Sequence, residues 1–90
     1  MKKYMIEREI PKIGSLSQEQ MQQAAAKSNE VLMQLSPNIE WVESYVTADK
    51  TFCVYEAKDE EVIQQHAKLS GFPANKITEI NKVIDSSTGA

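Results

Sequence analysis

Residues 39–57 read "IEWVESYVTADKTFCVYEA", and their pattern decides the fold. Two runs rich in Ile, Val, Tyr, Trp and Phe flank "TADK", the pattern of two strands joined by a short turn. With an even-numbered loop inside "TADK", period-two alternation sorts the side chains onto two faces. Val42, Ser44, Val46, Cys53, Tyr55 and Ala57 share one face; Trp41, Glu43, Tyr45, Phe52, Val54 and Glu56 share the other. The first set is smaller and uncharged, which suits a face covered by helices. The second is aromatic and acidic, which suits a face left open.

Upstream, "YMIEREI" (4–10) alternates and stops at Pro11, which predicts a first strand. Ser17 followed by Gln20 forms a capping box, with Leu16 and Met21 placed as a hydrophobic staple. Met21, Ala24, Ala25, Ser28, Val31, Leu32 and Leu35 then recur at helical spacing, so a helix is expected over 18–35, ended by "SPN". Downstream, Asp59, Glu60 and Glu61 put negative charge where a helix dipole favours it. Val62, Ile63, His66, Ala67 and Leu69 lie along one side of that second helix, and Gly71 fits the left-handed position past its end. "KITEINKVID" (76–85) reads as a fourth strand and "DSSTGA" as a frayed tail.

The order β-α-β-β-α-β is the ferredoxin-like α+β arrangement, a four-stranded antiparallel sheet with both helices on one face and spatial order 4-1-3-2. One domain over residues 1–85 is expected, with 86–90 disordered. A chain of 90 residues builds a thin core, and pairing through the open sheet face is a common remedy.

Composition excludes some functions. The net charge is −3 and the basic residues are scattered, with only Lys2 and Lys3 adjacent, which argues against nucleic-acid binding. No apolar run approaches the ~20 residues that span a bilayer. Glu7, Arg8 and Glu9 interrupt any signal-like segment, so a cytoplasmic protein is expected. The single Cys53 allows no internal disulfide and no thiolate cluster within one chain.

Two places invite a chemical reading. His66, the only histidine, falls between Val62 and Ile63 on the helical wheel and points at the sheet. It is either a neutral core ring bonded to Tyr55, Ser44 or a backbone carbonyl, or part of a polar spot where His66, Tyr55, Cys53 and Ser28 converge on a small ligand or metal. Ser28 holds the matching central position on the first helix. No carboxylate orients the ring, so a nucleophile–histidine–acid triad is not indicated, and no catalytic residue is assigned. On the other face, if Glu43 and Glu56 face each other or sit diagonally on neighbouring strands, they repel each other unless a cation intervenes. They are a solvated acidic face, or salt-bridged to Lys82 or a partner subunit, or part of an oxygen-rich metal site, and Glu7 and Glu9 share a phase that could join them. Trp41, Tyr45 and Phe52 beside them form either a dimer seam or the wall of a pocket between two paired sheets.

Taken together, "YMIEREIP", "WVESYVTADKTFCVYEA" and "HAKLSGFPANKITEI" resemble a family of small bacterial ferredoxin-like proteins, long catalogued as a domain of unknown function, with a nickel-binding member. The likeness runs from Tyr4 to about Asp85. It implies a homodimer that binds divalent nickel at the dimer surface for sequestration or tolerance, without established catalysis. The resemblance carries no ligand set. Nickel favours imidazole and thiolate and tolerates carboxylate, so His66, Glu43 and Glu56 are the metal ligands to test first. The alternatives are a dimeric α/β-barrel, binding a small molecule or acting on it in a pocket lined by Trp41, Tyr45 and Phe52, and a ligand-sensing module acting through a partner.

Overall fold

The computed structural model describes residues 1–90 and contains β1 (Lys2–Glu9), α1 (Gln18–Leu35), β2 (Ile39–Val46), β3 (Lys50–Ala57), α2 (Glu60–Ser70) and β4 (Lys76–Ile80). The four strands form one antiparallel sheet in the order β2-β3-β1-β4, the ferredoxin-like order expected. Both helices cover the same face. Their inner stripes meet Tyr4 and Ile6 of β1, Ile39 of β2, and Cys53, Tyr55 and Ala57 of β3, which with Val62 and Ile63 make the core.

Local chemistry sets the helix bounds. The Ser17 side chain accepts from the Gln20 N–H, and the Gln20 side chain accepts from the Ser17 N–H, so α1 opens on the predicted capping box. Asp59 caps α2 by accepting from the Val62 N–H at 3.0 Å. Gly71 ends α2 with φ 79°, a conformation that costs glycine little. On α2 the buried positions are Val62, Ile63, His66 and Ser70. Leu69, expected on the inner stripe, is 54% exposed, and Ser70 takes the inner position one residue on.

β4 ends at Ile80, short of the predicted 85, and a 3-10 turn, Ser86–Gly89, follows at the C-terminus. Between β1 and α1 another 3-10 turn, Ile13–Ser15, is tied to the hairpin tip. The Gly14 N–H donates to the Ala48 carbonyl at 3.0 Å, and the Lys12 N–H donates to Asp49 Oδ1 at 2.9 Å. A Cβ at Gly14 would stand 2.5 Å from the Thr47 carbonyl oxygen, so this close approach of two backbones requires glycine.

The hairpin departs from the expected sorting at one point. Val46 pairs with Thr51, Tyr45 with Phe52 and Ser44 with Cys53, the parity of an even loop. A β-bulge then falls between Trp41 and Glu43, leaving Val42 without a partner, and Trp41 pairs with Tyr55. The bulge turns Trp41 onto the helix-covered face and Val42 onto the open one, where it is 46% exposed. Both residues were expected on the opposite faces. An unpaired residue reverses alternation for everything before it in the strand.

Candidate functional site

Four elements converge between the helices and the sheet. β1 brings Arg8, β3 brings Thr51, Cys53 and Tyr55, α1 brings Ser28 and α2 brings His66, all buried. His66 is fully enclosed, and its Nε2 lies 3.1 Å from Ser28 Oγ. Its edge meets the Tyr55 ring at 5.4 Å between centroids and an interplanar angle of 63°. Nδ1 has no hydrogen-bond partner. A buried N–H is harder to leave unpaired than a lone pair, so the favoured tautomer carries its proton on Nε2 and donates it to Ser28. Burial, with the Arg8 charge adding to it, pushes the His66 pKa down to about 4, so the ring is neutral around pH 7.

Arg8 is 3% exposed. Its Nη1 donates to the carbonyl oxygens of Pro73 at 2.7 Å and Phe72 at 3.4 Å, and its Nη2 donates to the Tyr55 hydroxyl at 3.4 Å. The guanidinium carbon stands 5.8 Å from the Tyr55 ring centroid. Burial raises the Tyr55 pKa, against the opposing pull of Arg8, so its hydroxyl keeps its proton.

Beside this cluster, a cavity of about 260 Å³ lies between the first half of α1 and the sheet. Arg8, Ser28, Thr51, Ser44, Cys53 and Tyr55 supply its polar and sulfur-bearing wall; Met21, Ala24, Ala25, Trp41, Val46 and Phe72 belong to the apolar remainder. Trp41 Nε1 donates to Ser44 Oγ at 2.9 Å, which holds the indole in place. Cys53 Sγ is 3.6 Å from Thr51 Oγ1.

The open face carries a different set. Glu43 pairs with Val54, while Glu56 stands directly opposite Glu40 and, on its other side, opposite Lys3. Glu43 accepts a hydrogen bond from the Tyr45 hydroxyl, which pushes the Tyr45 phenol pKa up. Lys50 Nζ and Glu7 Oε1 form an ion pair at 2.9 Å that lowers the Glu7 pKa and raises that of Lys50.

The predicted residues therefore divide by layer. Tyr55, Cys53, Ser28 and Trp41 share the cavity, with His66 behind Ser28; Tyr45, Glu43 and Glu56 lie on the opposite side of the sheet. His66, Glu43 and Glu56 cannot hold one ion within a subunit, because the sheet separates imidazole from carboxylates. No group of three His, Cys, Asp or Glu side chains comes together anywhere in the chain. A pocket between paired sheets also loses Trp41, which the bulge carries to the other face. Sequence reasoning missed Arg8 and Thr51. The signal for Arg8 was present: Glu7 and Glu9 share the open-face phase, which forces the residue between them inward.

Fold and site together define an α+β module of ferredoxin-like topology with a partly open pocket between α1 and the sheet, walled in part by a buried cation. Residues 4–80 match the family model described as nickel responsive protein SCO4226-like, and the chain belongs to that family. The crystal structure of SCO4226 from Streptomyces coelicolor A3(2) superposes with a TM-score of 0.76 at 16% identity, over 91% of this chain and 99% of that one. At that identity the likeness is one of fold. No curated protein matches the sequence. No helix is long and apolar enough to cross a membrane.

Proposed function

We propose that the protein is a non-enzymatic cytoplasmic module that binds nickel as cargo, for sequestration or tolerance, and works as a homodimer. The observation that carries this reading is family membership across residues 4–80, together with the nickel responsiveness in the family's name. Since no subunit gathers three donors by itself, the ion is bound where two open sheet faces meet. There Glu43 and Glu56 of each copy supply carboxylates, which nickel accepts alongside water. His66 is outside this set and serves as a packed ring between α1, α2 and the sheet.

The helix-free face favours such pairing. Met5, Val42, Tyr45, Phe52, Val54 and Ile80 give it an apolar centre, with the glutamates and lysines around it. Titration calorimetry with nickel and with zinc, run beside light scattering, tests the reading. A saturable heat at micromolar protein is expected, lost in the double variant Glu43→Gln/Glu56→Gln and kept in His66→Gln. Absence of any saturable heat ends the proposal, as does a strict monomer with nickel bound.

A further inference from the structure

Arg8 is the only fully charged side chain among the buried residues, and no carboxylate answers it. The molecule's ion pair, Lys50 with Glu7, lies on the opposite face of the sheet. Neutral oxygens from Pro73, Phe72 and Tyr55 satisfy part of the guanidinium's hydrogen bonding and none of its charge. A buried, unpaired cation is costly, and proteins ordinarily supply an anion for it. A clasp between β1 and the α2–β4 loop explains the two carbonyl contacts. It does not explain why the same side chain walls a largely apolar cavity of about 260 Å³.

We propose that this cavity binds a small organic carboxylic acid as its anion, with the carboxylate on Arg8 and the Tyr55 hydroxyl and the apolar body between Trp41, Met21 and Ala25. The Tyr55 hydroxyl accepts from Arg8 and retains its own proton to donate to the ligand. A planar guanidinium suits a carboxylate in two-point contact. An inorganic anion would leave the apolar walls unfilled. The size also fits: a dry cavity of roughly 150 Å³ accepts a benzene ring, so this larger one holds a ring or short chain together with its acid group. The site lies within one subunit, away from Glu43 and Glu56, and goes beyond the nickel reading.

Trp41 is the chain's only tryptophan, so its emission reports on the cavity directly. Metal-free protein, kept in a chelator, is titrated with octanoate and phenylacetate and with their uncharged amides. The acids are expected to change Trp41 emission saturably below millimolar concentration and to bind at least tenfold more tightly than the amides. Ala25→Leu, which fills the cavity, is expected to abolish the response while the urea midpoint is maintained. Arg8→Gln is expected to remove the preference for acid over amide. Should that variant fail to fold, the acid–amide comparison and Ala25→Leu still decide. Failure of both acids to saturate at millimolar concentration, equal binding of acid and amide, or undiminished binding by Ala25→Leu would each overturn the proposal.

Discussion

Lowering the pH from 7 to 5 tests the burial of His66 more sharply than any substitution. In the folded chain the ring titrates at about 4, held down by burial and by Arg8, against 6.5 for a free imidazole. The unfolded chain therefore takes up a proton below pH 6.5 that the folded chain refuses until about pH 4. Protons bound only by the unfolded state draw the equilibrium toward it, so stability is full above pH 6.5 and falls as the pH drops. Between pH 7 and 5 the loss is about 2 kcal/mol, reaching about 3 kcal/mol by pH 4. With a urea m-value of about 1 kcal/mol per molar, the midpoint falls by roughly 2 M between pH 7 and 5. Carboxylates also titrate in this range, so the quantity to measure is the difference between wild type and His66→Gln. The variant shares the carboxylate contribution and lacks the histidine one, so its stability is expected to fall less steeply between pH 7 and 5 than that of the wild type. Identical slopes would refute the reasoning. So would a proton NMR titration of the His66 ring with a midpoint near 6.5.

Four further outcomes follow from local geometry. Trp41→Ala removes the stacking on Tyr55 and the bond to Ser44 and is expected to cost about 2–3 kcal/mol in urea unfolding. Deletion of Val42 restores alternation with Trp41 still facing the helices, and is expected to cost less than Trp41→Ala in the same assay. Ser17→Ala removes the hydroxyl that accepts from the Gln20 N–H, one arm of the α1 capping box, for a loss of about 1 kcal/mol read from the thermal midpoint. Gly14→Ala drives a methyl group into backbone at Thr47 and Ala48, which cannot swing aside as a side chain would. A loss of about 1–3 kcal/mol is expected by chemical denaturation.

Periodicity and capping determined the element order, the limits of α1, the left-handed Gly71 and the even parity of the hairpin tip. These depend on residues near one another in the chain, so local chemistry decides them. The inward position of His66 was legible for the same reason: Val62 and Ile63 flank it on the wheel. Its partner was not, because Ser28 lies 38 residues away, and only the docking of α1 beside α2 brings the two together. The β-bulge was also beyond reach. Val42 and Trp41 are both plausible strand residues, and the partner strand decides which of them goes unpaired. That one unpaired residue put Trp41 into the cavity and took it from the open face. Arg8 sat at an inward phase in plain view, but its charge concealed its burial. Its oxygens come from β3 and from the α2–β4 loop, and only the closed fold assembles them. Nearest-neighbour chemistry thus built the elements. Contacts between residues far apart in sequence placed a cation beside an apolar cavity and separated the imidazole from the glutamates.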